Sequence, residues 1–483
     1  MRKIASFLLR NTSTKQTIAK NAFWLFVGQL LARLIKIGIL AYAARVLGVA
    51  EWGTFSYAMS VAALITLLMD FGINAIITRE SVRDASVQET YFATAFVLKS
   101  VLFVVAIAVA CIVPPIVFGH GPIASIVPIV VFMFGLDGFR DFGASMARAR
   151  EKMEIESFVH IVTNILIVVF GVAALAMSAT AKSLAWGYVL GVGIGTIMAF
   201  FPFRSYFKTM RQSFKPELIK KIFITCWPFG MLGLMGVILT NVDSVMIGWW
   251  RDIVAVGYYG AIQRIVQLVY IVPSLISVAF FPAISRLVDD KPVLRAILER
   301  GISILTLLAV PLTVGSIVLG PEIIRILFGD AFMPAAPAFQ ILALSFLPVF
   351  LSSMLASAAF ALNRERLLLK YVIFGVVGNF LLNLALIPTF GIEGASWSTV
   401  INLSLVTAYL VVVLKKQFGF RIWRQIDKIV VATLILAAST IVAKHAAINV
   451  YATVGIAGIL YIATLIILKE ESLSEILQKV KTL

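Results

Sequence analysis

Gln29, Arg33 and Lys36 follow one another at i, i+4 and i+7. In a helix that spacing puts all three on one face. Their neighbours are apolar, and a charge held against hydrocarbon costs at least about 2.5–3.5 kcal/mol. The stripe must therefore meet a wet cavity or a partner. Two cations on one stripe suit an anionic ligand; an ion pair with a neighbouring helix, or an amphipathic helix at the membrane surface, would also accommodate them. A second group, Asp137, Arg140 and Asp141, lies in another apolar stretch. Asp137 and Arg140 are i, i+3 neighbours and can pair locally, so structural and functional roles both stay open. Asp70, within Leu68-Met69-Asp70-Phe71-Gly72, can bind H⁺ or Na⁺, or pair with a basic residue. Gln263, Gln267 and Tyr270 share a face beside Arg264, while Asn379 and Asn383 read as interhelical hydrogen-bonding glue. The substrate-binding candidates are thus Arg33, Lys36, Gln29, Arg140, Gln263, Arg264 and Gln267. The ion-coupling candidates are Asp70, Asp137 and Asp141.

The sequence points away from catalysis. Cys111 and Cys226 sit in apolar stretches, and His120, His160 and His445 are scattered, so no metal cluster or other cofactor is expected. There is no G-x-x-x-x-G-K-[ST] loop to cradle a nucleotide. Energy would have to come from an ion gradient, the membrane potential or the substrate gradient.

The elements that must hold these residues are membrane helices. Of 483 residues, 61% are hydrophobic and 13% charged, against about 25% charged in a soluble domain. The apolar residues come in blocks near the ~20 needed to cross a ~30 Å hydrocarbon core, without the alternation of a β-barrel. The expected spans are 18–46, 54–78, 91–118, 122–147, 155–177, 183–203, 222–249, 254–285, 297–319, 335–361, 366–390, 393–414, 426–445 and 451–469. The fold class is all-α membrane protein, with about fourteen transmembrane helices.

Net charge is +17, and its distribution decides what it means. Most Lys and Arg fall in alternate connections, with Arg204, Lys208, Arg211, Lys215, Lys220 and Lys221 in one and Lys415, Lys416, Arg421, Arg424 and Lys428 in another. The opposite side holds only Arg45, Lys182, Arg251, Arg325 and Lys444. This is the positive-inside pattern, with both termini cytoplasmic, and it excludes nucleic acid as the partner. The basic 204–221 stretch reads as lying along the membrane surface. The first apolar span is too long for a cleaved signal peptide.

Three short matches repeat in order. Gly53 in Glu51-Trp52-Gly53-Thr54-Phe55-Ser56-Tyr57-Ala58 pairs with Gly257 in Ala255-Val256-Gly257-Tyr258-Tyr259-Gly260-Ala261. Arg150-Glu151-Lys152 pairs with Arg364-Glu365-Arg366, and Ala185-Trp186-Gly187 with Ser396-Trp397-Ser398. A six-span unit gives a parallel repeat: an N-lobe over 1–203, a basic linker over 204–221, a C-lobe over 222–414, and an appended pair with a tail over 415–483. Arg33 and Lys36 would then face a cleft between two rocking lobes. Pro228, Pro273, Pro311 and Pro348 fall inside spans, where each permits a bend.

Several of these motifs have a familiar form. Ala44-Arg45-Val46-Leu47-Gly48 followed by Glu51-Trp52-Gly53, Asp70-Phe71-Gly72, Val256-Gly257-Tyr258-Tyr259-Gly260-Ala261 and Gly391-Ile392-Glu393-Gly394-Ala395-Ser396-Trp397 resemble the polysaccharide flippases of the multidrug/oligosaccharidyl-lipid/polysaccharide (MOP) exporter superfamily. The likeness covers roughly spans one to twelve. It implies twelve core helices in two lobes, and transfer of an undecaprenyl- or dolichyl-type pyrophosphate-linked oligosaccharide from the cytoplasmic to the outer leaflet of the cell membrane. The sugar and pyrophosphate would pass through a cationic cavity while the lipid tail stays among membrane lipids. H⁺ or Na⁺ coupling, and contact with polysaccharide polymerase or assembly proteins, are further expectations of the resemblance. Flippases for the peptidoglycan precursor keep several arginines in the first two spans. Here the second span has none before Arg79, which places the chain with the oligosaccharide branch.

Two other readings compete. A cation-coupled multidrug exporter of the same fold would favour an acidic, aromatic cavity over the basic first span. A membrane polysaccharide-synthesis enzyme, or an assembly scaffold, would be of another class. Catalysis wants carboxylates in sizeable outer loops, and only Glu322 and Asp330 lie together in one outer connection. The charge asymmetry makes a direct prediction: reporter fusions at Lys215 and Gly119 report opposite sides of the membrane. Agreement between them would refute the span order.

Overall fold

The computed structural model describes residues 14–287, 290–422, 426–446, 448–471 and 473; the side chains of a few helical residues, Asp70 among them, lie outside the described set. Among the described residues every regular element is helical, as a bilayer core demands of a chain with no water to bond its backbone. The chain divides into two compact units, one up to Gly248 and one from Trp249 onward.

The first unit comprises α1 (Thr14–Asp70), α2 (Ile73–Arg83), α3 (Gln88–Phe118), α4 (Pro122–Ala149), α5 (Met153–Met177) and α6 (Ala181–Phe200). Two short helices follow, α7 (Arg204–Lys208) and α8 (Met210–Ser213), and then α9 (Glu217–Trp250). The second unit holds α10 (Ile253–Val269), α11 (Ile271–Arg286), α12 (Lys291–Val318), α13 (Gly320–Phe328), α14 (Ala336–Ala343), α15 (Phe346–Ala361), α16 (Glu365–Phe418), α17 (Ile426–His445) and α18 (Val450–Ile467).

Among the described residues ten helices are long and apolar enough to cross a membrane, or eleven if the pair Asp330–Ala343 and Phe346–Ala361, bent by 42°, counts as one. Two helices are longer than one crossing can be. The 57 residues of α1 would stretch about 85 Å if straight, against a ~30 Å core. Gly48 (φ 69°, ψ 177°) breaks α1, and Gly391 (φ 60°, ψ −131°) breaks the 54-residue α16. These left-handed angles suit glycine, which has no Cβ to clash. The expected span 54–78 is cut short: α1 stops at Asp70, and Phe71 (φ 21°) and Gly72 (φ 81°) turn the chain into α2. The span expected over 254–285 divides into α10 and α11, and Pro273 falls in the first turn of α11, where its missing N–H leaves no helical bond unmade. Pro348 occupies the same place in α15.

The repeated motifs turn out to be fixing points. Glu51, just past the Gly48 bend, accepts a hydrogen bond from the backbone N of Ala181 at 2.6 Å, capping α6. Trp52, Phe55 and Tyr57 are fully buried behind it. In the second unit Arg251 reaches the Gly391 bend, donating to Ile387 O (3.3 Å) and Pro388 O (2.7 Å). Asn383 donates to Asn379 Oδ1 at 3.1 Å within the first half of α16, while Asn402, beyond the bend, donates to Gly375 O at 2.9 Å and ties the two halves together. The C-terminal pair α17–α18 packs on α12, where Tyr461 Oη donates to Leu307 O at 2.8 Å.

Glycines set how closely α5 and α6 approach. A Cβ at Gly187 would sit 2.7 Å from Phe170 O, and one at Gly191 2.7 Å from Ile167 N; Gly195 faces Thr163 Oγ1 in the same manner. Small residues four apart let membrane helices pack backbone to backbone. Gly191→Ala is therefore expected to lower thermal stability in detergent by about 1–3 kcal/mol through overpacking. Gly38, where an added Cβ meets nothing within 4 Å, is the control, and Gly38→Ala should leave the melting temperature unchanged or slightly raised.

Candidate functional site: a charged cavity in the first unit

Helices α1, α4, α5 and α6 enclose a cavity of about 390 Å³. The N-terminal end of α1 is pinned to α5 at three points. Lys20 Nζ pairs with Glu154 at 3.0 Å, Ser157 Oγ donates to Trp24 O at 2.6 Å, and Gly28 leaves no room for a Cβ against Ser157. Immediately beyond this clasp, Gln29, Arg33 and Lys36 line the cavity together. Arg33 Nη2 donates to Gln29 Oε1 at 3.3 Å, as the i, i+4 spacing allows.

The facing wall is the polar stripe of α4. Arg140 Nη2 lies 3.0 Å from Asp137 Oδ1 and 2.9 Å from Asp141 Oδ1. The Arg140 side chain is only 7% exposed, whereas Asp137 and Asp141 are 36% and 52% exposed. One deeply placed guanidinium thus bridges two carboxylates that reach the cavity space. Asp137 and Asp141 each line it, as does Arg140 itself.

The third wall went unread in the sequence. Glu156, His160 and Asn164 recur every four residues along α5 and line the cavity on one face. Glu156 pairs with Arg148 of α4 at 3.3 Å, and Asn164 Nδ2 donates to His160 O at 2.8 Å. Tyr188 of α6 completes the lining. The i, i+4, i+8 spacing was the available signal. Glu156 falls at the start of the expected span 155–177 with no role assigned to it, and His160 enters the sequence reading only as a metal ligand. Four basic side chains (Arg33, Lys36, Arg140, Arg148) thus meet three carboxylates (Asp137, Asp141, Glu156) around one space. The cavity is polar and zwitterionic, with a basic face on α1, and is less purely cationic than the α1 stripe alone implies.

The other candidates lie elsewhere. Gln263, Arg264 and Gln267 are half-buried on α10 of the second unit, where Arg264 Nη1 donates to Gln267 Oε1 at 3.4 Å. Asp70 ends α1, and its side chain lies outside the described residues.

The family model described as "Polysaccharide biosynthesis protein" matches residues 18–288, more than half of the chain. The chain belongs to this family. Among curated relatives it is similar to the "Probable flippase AglR" of Haloferax volcanii, 25% identical over 76% of this chain and 77% of that protein. It is also similar to the "Probable low-salt glycan biosynthesis flippase Agl15" of the same organism, 21% identical over 90% of this chain and 92% of the other. Among solved structures, "Lipid II flippase MurJ, inward closed conformation" has the same fold, with a TM-score of 0.76 at 14% identity over 91% of this chain and 97% of that one. A multidrug resistance MATE family transporter of the MOP superfamily, inward-facing, matches with a TM-score of 0.60 at 13% identity, covering 86% of this chain and 97% of its own. The protein is a multi-pass membrane protein of this polysaccharide biosynthesis family, with the fold that these transporters share.

In this protein the Arg140 bridge carries a clear expectation. Removing the guanidinium leaves two like-charged carboxylates one turn apart on the cavity wall without their shared partner. Breaking a fully buried pair costs about 3–5 kcal/mol, and the exposure of both aspartates brings this case below that range. Arg140→Gln should reduce the amount of folded, inserted protein, and adding Asp137→Asn should restore part of it. Wild-type abundance in the single variant, measured by quantitative blotting of membranes, would contradict this account.

Proposed function

We propose that the protein is a flippase that carries a polyprenyl-pyrophosphate-linked oligosaccharide from the cytoplasmic to the outer leaflet of the cell membrane by alternating access, for cell-surface polysaccharide synthesis. The observation that carries this reading is the convergence of Arg33 and Lys36 with Gln29 on one wall of a hydrated-size cavity inside an apolar helix bundle. A pyrophosphate needs compensating positive charge, and a guanidinium can grip its oxygens in a bidentate fork. The mixture of amide, imidazole and hydroxyl groups from Gln29, Asn164, His160 and Tyr188 offers hydrogen bonds to sugar hydroxyls. Asp137 and Asp141, exposed to the same space, are the candidates for binding a coupling H⁺ or Na⁺.

The topology we propose has fourteen crossings: α1 and α16 each divided at their glycine bends, α10–α11 and the bent α14–α15 pair each taken as one crossing, and α9 added to the rest. Both termini are then cytoplasmic. The relatives named as flippases favour this function over drug export, since the shared fold alone serves both. The outer carboxylates considered for catalysis are engaged in ion pairs: Glu322 with Lys444 at 2.8 Å and Asp330 with Arg325 at 2.7 Å. That favours a carrier over a synthesis enzyme.

Arg33→Ala should abolish export of the lipid-linked sugar at normal inserted abundance. Arg33→Lys should keep part of the activity, because the charge survives without the fork. Transport per inserted molecule, in a complementation strain or in liposomes, is the measurement. Full activity of Arg33→Ala at wild-type abundance would sink the mechanism.

A further inference from the structure

Residues 201–216 of the first unit connect α6 to α9 and have two unlike faces. The inner face is fixed. Tyr206 is buried; its hydroxyl accepts from Arg150 Nη2 at 2.7 Å and donates to Gln88 Oε1 at 3.2 Å. The Arg150 guanidinium also lies 4.8 Å from the Phe203 ring centre and 5.3 Å from that of Tyr206. Thr209 Oγ1 donates to Glu89 at 3.0 Å, and the backbone N of Lys215 donates to Thr94 Oγ1 at 3.1 Å. The segment is therefore clipped to α3 and to the turn after α4.

Its outer face is uncompensated. Arg204, Lys208, Arg211 and Lys215, continued by Lys220 and Lys221 at the start of α9, are all exposed, and among the described residues none has a carboxylate partner. Cations elsewhere at the same end of the unit do have one: Arg79 with Glu80 at 2.9 Å, Arg148 with Glu156 at 3.3 Å, and Lys20 with Glu154 at 3.0 Å. Beside the unpaired cations the Phe201 ring is 65% exposed, and Phe207, which packs its inner edge on Phe92, Phe96 and Phe200, keeps 38% of its surface exposed. The Arg204 guanidinium sits 5.0 Å from the centre of the Phe201 ring.

We infer that this face docks on anionic lipid headgroups of the cytoplasmic leaflet, with the Lys and Arg side chains pairing phosphates and Phe201 and Phe207 seated at headgroup depth. A polybasic segment beside the membrane attracts acidic lipids, and aromatic rings favour the interface between water and hydrocarbon. The placement excludes much else. The segment is tied at both ends to apolar helices, so it is held at the rim of the bilayer, where a large soluble acidic partner would also have to bury two phenylalanines. Because the inner face is prefixed, docking orders little that is not already ordered. The same chain runs directly into α6, whose Tyr188 and Val192 line the cavity, so the lipid contact anchors one wall of the transport site. The leaflet assignment rests on the orientation proposed above.

The test uses the full-length flippase in nanodiscs of phosphatidylcholine alone or mixed with phosphatidylglycerol. Amide-hydrogen exchange of peptides covering 201–216 reads docking, and transport is read in liposomes of the same compositions. Phosphatidylglycerol should slow exchange in this segment several-fold, with the effect reversed by high salt, and should raise transport. The combined change Arg204→Gln, Lys208→Gln, Arg211→Gln and Lys215→Gln should remove both responses and leave exchange in the other helices unaltered; Lys208→Glu alone should weaken them should the combined variant fail to fold. Equal exchange of the wild-type segment in both lipids overturns the proposal. So does slowing by a soluble acidic peptide or by nucleic acid with none from phosphatidylglycerol. Nanodiscs expose both leaflets, so the exchange result is independent of orientation and cargo. A lipid response without oligosaccharide transport would keep the docking and reject the proposed cargo, and a reporter fusion placing Lys215 outside would reject the cytoplasmic leaflet.

Discussion

A guanidinium inside an apolar helix bundle persists only beside compensating charge, and the Arg140 bridge meets that condition for the first unit. Desolvating an ion costs several kcal/mol even after relaxation. Two carboxylates within 3.0 Å of the same nitrogen offset it. They do so without closing the cavity, because both aspartates keep part of their surface open to it. The arrangement also explains why the opposite wall can be basic. Arg33 and Lys36 on α1 look across a polar space at carboxylates that already have a partner. A second pair, Arg148 with Glu156, repeats the pattern toward the end of the cavity.

The spacing of charges was readable from the sequence because helical periodicity translates directly into faces. Gln29, Arg33 and Lys36 share a wall, as i, i+4, i+7 requires, and Asp137 reaches Arg140 as i, i+3 requires. Asp141 was harder to read. Adjacent residues on a helix point about 100° apart, and only the length of the arginine side chain lets Arg140 reach both aspartates. The α5 stripe was missed for a different reason. Glu156, His160 and Asn164 are diluted among apolar residues, and nothing in one helix reveals which of its faces meets α1 and α4. Meeting of faces is a tertiary fact, set here by the Gly28–Ser157 contact and the Lys20–Glu154 pair.

Helix ends show the same division. Apolar blocks were legible as membrane helices, whereas their breaks were not. Hydropathy gave 54–78 as one block because nothing in Phe71-Gly72-Ile73 is polar, yet positive backbone angles at Phe71 and Gly72 end the helix there. The resemblance motifs were informative about fold for a reason now visible. Gly48 bends α1, Glu51 caps α6, Trp52 fills the space behind them, and Gly391 bends α16 under Arg251. None of these touches the cavity, which is why such motifs identify a fold and leave its cargo open.

The ladder of Gly187, Gly191 and Gly195 on α6 has an evolutionary corollary. Those glycines look toward α5, while their neighbours Tyr188 and Val192 look into the cavity. Folding and recognition are thus written on interleaved positions of a single helix, and each can drift without the other. A lineage can replace the lining residue by residue and inherit the scaffold intact. On that view chains that agree at only about a fifth to a quarter of their positions, as this one does with its haloarchaeal relatives, can keep one architecture while the lining of the cavity diversifies.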